Sequence, residues 1–252
     1  MSDLPLSDRL PVFACLQRIL MVIKASGEKS LTRTHLSRAI DTKGYFDTAL
    51  DYGCKSGYLN REKQNYISIK NEKFSITEDK YYPATHAAIK QLWESDGYDR
   101  SQFYLEETAK KDSKIIGPWT RPDFTLVSHK KFPWTIGQEF DVVTFEVKRP
   151  ETCNVLAVFE ALSHASAATR AYVVFPLDAK KWKKEAPEQE RRVKDECTRH
   201  GVGLILIENV TDKPSPMHVI KAVRREISHE KCSDFLDAVI STEGKQKISA
   251  WK

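Results

Sequence analysis

At 252 residues, with 40% apolar and 10% aromatic side chains, the chain can build one large core or two ordinary ones, which excludes a disordered or fibrous polymer. Forty Lys and Arg against thirty-five Asp and Glu leave a formal charge of +5, a mild excess that suits a nucleic-acid partner but also many ordinary proteins. The five cysteines (Cys15, Cys54, Cys153, Cys197, Cys232) include no Cys-x-x-Cys pair, no apolar run nears the ~20 residues of a membrane span, and Met1-Ser2-Asp3-Leu4-Pro5 lacks signal-peptide character, so a cytoplasmic chain with reduced thiols and no membrane partner is expected.

Leu10, Phe13, Leu16, Leu20 and Ile23 recur at helical spacing, and Ser26-Gly27 closes that first helix. A second helix is predicted to start around Ser30-Leu31-Thr32, with Thr32 or Thr34 as N-cap, and to break at Gly44. A third runs through Phe46, Ala49 and Leu50 to Gly53. Tyr66–Ile69 and Lys73–Ile76 alternate apolar and polar, which predicts a hairpin turning at Lys70-Asn71-Glu72. Three helices followed by a hairpin resemble a winged helix-turn-helix over residues 1–80. That resemblance implies nucleic-acid contacts from Lys43, Tyr45, Thr48 and Lys55 around the third helix, and from Lys63, Asn65, Lys70 and Lys73 on the wing. Asp47 and Asp51 on the third helix count against tight phosphate binding.

From residue 81 a second domain is expected to run to 252. A helix over Ala84–Ser95 carries Ile89, Leu92 and Trp93, and Phe103-Tyr104-Leu105 reads as a strand. Two further strands follow: Arg121-Pro122-Asp123-Phe124-Thr125-Leu126-Val127, and Asp141-Val142-Val143-Thr144-Phe145-Glu146-Val147-Lys148-Arg149-Pro150. Alternation puts Thr144, Glu146 and Lys148 on one face and Val143, Phe145 and Val147 on the other. Asp141, five residues from Glu146, points away from it. A carboxylate and an ammonium at the end of an apolar strand are costly to bury unless paired or bound to a metal. With Asp123 they make two carboxylates and a lysine, a set suited to holding a hard divalent cation beside a phosphodiester. Taken singly, Asp123 reads equally as a loop cap, and Glu146 with Lys148 as a solvated pair.

A helix over Asn154–Ala168 and a buried strand over Ala171–Pro176 come next. His164 lies four residues from Glu160, so the two can share a face, where a helix-surface hydrogen bond is the plain expectation. Lys180, Lys181, Lys183 and Lys184 surround Trp182 in an expected basic loop, which could ride on a nucleic-acid backbone with the ring stacked on a base or be a solvated loop. Then come a polar helix over Glu188–His200 ended by Gly201, a buried strand over Val202–Ile207, a strand near Val219–Val223, and a closing helix near Phe235–Ile240. The fold class is α/β with a mixed sheet.

The Pro122-Asp123 strand followed by Glu146-Val147-Lys148 resembles the restriction-endonuclease-like superfamily, whose core runs αβββαβ. The resemblance covers about Ala84–Ile207. It implies Mg²⁺-dependent hydrolysis of phosphodiester bonds, with Mn²⁺ as a substitute, in DNA and less often RNA. By that resemblance Asp123 and Glu146 are metal ligands and Lys148 orients water or steadies developing charge. A third acid is sought among Glu94, Glu106 and Glu107, with Glu106 preferred; the family sometimes sets a polar residue of the following helix near the metal, where His164 stands; and Arg121 and Arg149 flank the motif as phosphate contacts or as a surface pair. Restriction or genome defence is the expected setting, and cutting both strands makes a homodimer plausible. The alternatives are a DNA-binding regulator or assembly factor built on a non-catalytic nuclease-like scaffold, and a nuclease of RNA or repair intermediates.

Overall fold

The structure, a computed structural model, describes residues 6–40, 44–109, 121–226 and 228–251. The chain divides into two compact units, Met1–Pro83 and Ala84–Lys252. Among the described residues no helix is long and apolar enough to cross a membrane, and all five cysteines are free.

In the first unit, α1 (Leu6–Ser26) buries Leu10, Phe13, Leu16, Leu20 and Ile23 as its spacing demands, with Val12 and Ile19 beside them. The Ser26 hydroxyl bonds back to the Ile23 carbonyl, and Gly27 (φ +70°) lets the chain turn out of the helix. Ser30–Thr32 departs from the sequence expectation: it is a strand, β1, and only Thr32 belongs to the following helix, as its N-cap. The Thr32 hydroxyl accepts the His35 N–H at 3.2 Å and starts α2 (Arg33–Ala39). Next come α3 (Phe46–Lys55), β2 (Leu59–Arg61) and β3 (Tyr66–Ile69). At Gly53 a side chain would meet Leu16 and Leu59 within 2.8 Å, so glycine is what lets α3 lie this close to α1 and β2.

The three strands form an antiparallel sheet in the order β1-β3-β2. The hairpin therefore joins β2 to β3 through Glu62–Asn65, and the predicted partner 73–76 is not a strand. Both edges of β3 are already taken, so the chain after Ile69 instead packs Phe74 edge-on against Phe13 and Tyr58 and buries Ile76. Lys63 consequently sits at the hairpin turn, whereas Lys70 and Lys73 lie beyond it.

The second unit opens with α4 (Tyr82–Ser95) and continues through β4 (Phe103–Glu107), β5 (Phe124–Lys130), β6 (Glu139–Val147), α5 (Val155–His164), β7 (Arg170–Phe175), α6 (Ala179–Glu185), α7 (Pro187–His200), β8 (Gly203–Glu208), β9 (Ser215–Ile220), α8 (His229–Val239) and α9 (Thr242–Ser249). The nine strands of the described residues thus form the small three-stranded sheet and a six-stranded mixed sheet, ordered β4-β5-β6-β7-β8-β9. Strands β6, β7 and β8 run parallel, and the pairs on either side are antiparallel. On one face Phe145 and Tyr172 stack at 5.6 Å under the Trp93 ring of α4. On the other, Ala157, Val158 and Ala161 of α5 and Val193 and Cys197 of α7 cover Val173, Phe175, Leu204 and Leu206. Burial pushes the Cys197 thiol up to about 12. Farther along that face Phe235 and Val239 of α8 cover Val142.

Three expectations shift in this unit. The last strand spans Ser215–Ile220 rather than the segment near Val223, and α9 is an additional helix. The basic segment is no loop but the helix α6, capped by Asp178 at the Lys181 N–H, and Trp182 is its buried side, edge-on to Phe175. Helical spacing turns the four lysines outward and the indole into the core, so the ring is not available to stack on a base.

Candidate functional site

Asp123 stands just before β5 and is fixed by its backbone first. Its N–H donates to the Phe145 carbonyl at 3.0 Å, and its own carbonyl accepts the Thr108 N–H at 2.8 Å, extending the β4-β5-β6 ladder by one residue. The side chain is held as well: Oδ2 accepts the Val147 N–H at 2.7 Å. Phe124 pairs with Phe145, so the next position outward sets Asp123 beside Glu146 on the face that alternation assigns them. Beneath them the Thr108 hydroxyl donates to the Pro122 carbonyl at 2.6 Å and lies 3.2 Å from the Thr125 hydroxyl. Asp123 and Glu146 are both buried, at 8% and 9% exposure.

Glu146 lies near the end of β6, in register with Val173 of parallel β7. Its Oε1 accepts from Lys148 Nζ at 2.6 Å, and its Oε2 meets His164 Nε2 at 3.2 Å. An ionised carboxylate can only accept, so the ring nitrogen is the donor. Lys148 also stands 2.7 Å from Glu160 Oε2, an ion pair without the alignment of a hydrogen bond. Burial pushes the Glu146 carboxyl up. The hydrogen bond from His164 and the charge and hydrogen bond of Lys148 outweigh it, and the net displacement is below the ordinary carboxylate value.

Helix α5 delivers Glu160 and His164. Its phase is set by Asn154, whose side chain accepts the Leu156 N–H at 2.9 Å. His164 follows Ala157, Val158 and Ala161 on the helix's buried side, so it is a core-facing residue at the site rather than the surface hydrogen bonder expected from sequence. Its position on that apolar stripe is the signal that favours the site over the helix surface. His164 Nδ1 is buried without a hydrogen-bond partner.

The remaining expected site residues are dispersed. Glu106 is cross-strand from Thr125 and shares the Asp123 face, with Oε2 accepting the Ser241 N–H at 3.1 Å. Glu107 pairs with Phe124 and alternates to the opposite face, while Glu94 pairs with Arg100 at 2.7 Å. Asp141 is committed to Thr169, Arg170 and Arg224 at the far end of β6. Arg121 and Arg149 flank the strands, half-buried. In the first unit Thr48, Lys55, Lys63, Asn65, Lys70 and Lys73 are exposed, Tyr45 is half-buried at the start of α3, and Lys43 lies outside the described residues. Asp47 pairs with Arg33 at 2.6 Å and Asp51 with Arg61 at 3.4 Å, so both α3 acids face a neutralising arginine.

Among the described residues no group of three or more His, Cys, Asp or Glu side chains is placed to hold a metal ion. What β5, β6 and α5 bring together is the carboxylate pair Asp123 and Glu146, with Lys148, Glu160 and His164 around Glu146. No protein-family model matches this chain, and no curated protein matches it.

Because the Glu146 carboxyl is depressed, its ionised form stabilises the fold at neutral pH. That contribution is complete above the unfolded-state value and is lost as pH falls through the lower folded value. Urea midpoints followed from neutral pH into the acid range should therefore fall more steeply for the wild type than for Glu146→Gln. Parallel curves would show that Glu146 gains nothing from its partners.

Proposed function

We propose that the chain is a metal-dependent endonuclease of the restriction-endonuclease-like kind, acting on DNA, with a winged-helix module in its first unit. One observation carries the reading: two buried carboxylates on adjacent strands with a lysine at the end of the second. Asp123 and Glu146 would hold the ion. Their donor chemistry fits Mg²⁺, which keeps several waters and is bound through one or two carboxylates plus substrate phosphate, so a third protein ligand is not required. Bound there, the ion would supply Lewis-acid polarisation of the phosphate and a more acidic water. The chain's own residues do the rest. Lys148 presents an ammonium to the attacking water or to the charge that develops on the phosphate. Glu160 holds that ammonium from α5, and His164 holds the Glu146 carboxylate from behind.

The first unit supports the winged-helix reading through its order α1-β1-α2-α3-β2-β3 and the central position of β3. Arg33 beside Asp47 and Arg61 beside Asp51 partly offset the acids that count against α3 lying along phosphates. Replacing Lys63, Lys70 and Lys73 together with alanine should weaken duplex binding and flatten its dependence on salt by up to about three contacts' worth. Unchanged affinity in a titration across salt concentrations would move a protein-binding role for this module ahead.

A second reading is favoured by a single feature. Both Glu146 oxygens are engaged by Lys148 and His164, as in a purely structural ion-pair network on a non-catalytic scaffold. Incubating the purified chain with single-stranded DNA, duplex DNA and RNA, with Mg²⁺, with Mn²⁺ and with chelator, separates the two. The nuclease reading expects cleavage that requires the cation and stops in EDTA. Cleavage persisting in excess EDTA would refute the assigned mechanism, and failure to cut any form or to bind Mn²⁺ would leave the scaffold reading.

A further inference from the structure

The turn between β5 and β6 is unusual for a soluble surface. Trp134 is 95% exposed, Ile136 fully exposed and Phe132 41% exposed, all within Lys131–Gln138. Exposed apolar side chains scattered singly need no explanation, but three on one hairpin tip do. Pro133 stiffens the approach, and Gly137 (φ +86°) lets the chain turn back into β6. The surrounding charge is positive. Lys131 is exposed beside Phe132, and Lys130 leads into the tip over the Tyr98 ring. Glu139, the acid at the tip's exit, is paired with Arg224 at 3.1 Å.

We propose that this hairpin tip is a stacking wedge for a nucleic-acid strand, with Trp134 against a base, Phe132 and Ile136 beside it, and Lys131 on the adjoining phosphate. The proposal rests on the nucleic-acid reading of the preceding subsection and extends it to a grip remote from the cleavage site. The chemistry matches on both counts: aromatic rings stack on any base, apolar wedges enter base steps, and neighbouring lysines meet the backbone. A lipid surface fits less well. Three side chains offer apolar area of the order of one acyl chain, which by itself holds a membrane only marginally. Seven residue steps of β6 separate Glu139 from Glu146, about 24 Å at strand rise. The wedge, which lies beyond Glu139, would thus hold substrate at least about seven base-pair steps from the carboxylates, at 3.4 Å per step.

The test uses the full chain in EDTA, with an oligonucleotide of about thirty residues, single-stranded and as duplex, long enough to span that distance. Binding should quench the tryptophan emission that distinguishes wild type from Trp134→Phe. Trp134→Ala should weaken binding about tenfold, with the salt slope unchanged because no charge is removed. Lys131→Ala should instead lower the slope by about one. In Mg²⁺, Trp134→Ala should raise KM more than it lowers kcat. At 95% exposure the indole supports no packing, so the variant will fold.

Equal affinity of Trp134→Ala and wild type would overturn the proposal, as would failure of the chain to bind either oligonucleotide. A blue shift of the Trp134 emission only with vesicles of phosphatidylglycerol and phosphatidylcholine would reassign the tip to lipid. A dimer in sedimentation that Trp134→Ala abolishes would reassign it to a second copy. Trp134-dependent binding without cleavage would remove the nuclease reading and leave the wedge standing. Cleavage with Trp134-independent binding would do the reverse.

Discussion

Lys148→Ala should reduce cleavage by roughly a hundredfold or more, the scale of losing one preorganised charge-stabilising group, while Mn²⁺ affinity holds or tightens. The split follows from geometry. Lys148 Nζ lies 2.6 Å from Glu146 and 2.7 Å from Glu160, so its removal deletes the cation and leaves two carboxylates facing one another. Like charges at that range disfavour joint ionisation. A divalent cation relieves the repulsion, and for that reason metal binding should not suffer. Without metal the variant should be less stable than wild type by up to about 3 kcal/mol, the cost of breaking a mostly buried pair. Glu146→Ala and Asp123→Ala should behave differently, losing metal affinity and cleavage together. Isothermal titration with Mn²⁺ beside a cleavage assay on one substrate makes the comparison. Normal cutting by Lys148→Ala would reduce the lysine to a structural ion-pair partner and remove the strongest support for the nuclease reading.

Gly203→Ala should be the most damaging glycine-to-alanine change among the described residues of the second unit. A methyl at that position would lie inside the van der Waals envelope of the Tyr172 ring and 2.9 Å from the Ala222 backbone nitrogen. The ring cannot retreat. It is stacked on Phe145, meets Trp93 edge-on, and its hydroxyl accepts the Ala222 N–H at 3.2 Å. Overpacking of this kind costs about 1–3 kcal/mol, and the upper end applies where a stacked ring and backbone are both displaced. Calorimetry should show Tm lowered by roughly 10 °C for a unit of this size. Gly137→Ala, at an exposed turn with φ +86°, should cost only about 1 kcal/mol. If Gly203→Ala melts within about 2 °C of wild type, β8 yields more readily than its packing implies.

What could be read from the residues alone was whatever depends on neighbours along the chain. The Thr32 cap, the stop at Gly201, and the opposite faces of Glu146 and Val147 follow from local hydrogen bonding and from a period of two or 3.6. The Pro-Asp strand and the Glu-x-Lys strand could likewise be read as neighbours carrying their acids on one face. The pairing of β3 was settled by competition among three strands, in which β1 and β2 took both its edges and left 73–76 to pack Phe74 into the core.

The tertiary structure also decided which side chains reach the site or the solvent. His164 meets Glu146 because α5 crosses the sheet at that height, and Lys148 stands between Glu146 and Glu160 for the same reason. Glu106 turns to Ser241 because α9, absent from the sequence reading, packs there. Trp182 and Trp134 are the same residue type beside lysines, yet one is buried against Phe175 and the other stands in water. Periodicity assigns a side chain to a face. Whether that face is covered depends on which distant element arrives to cover it, and that is set by the packing of the whole unit rather than by any window of its sequence.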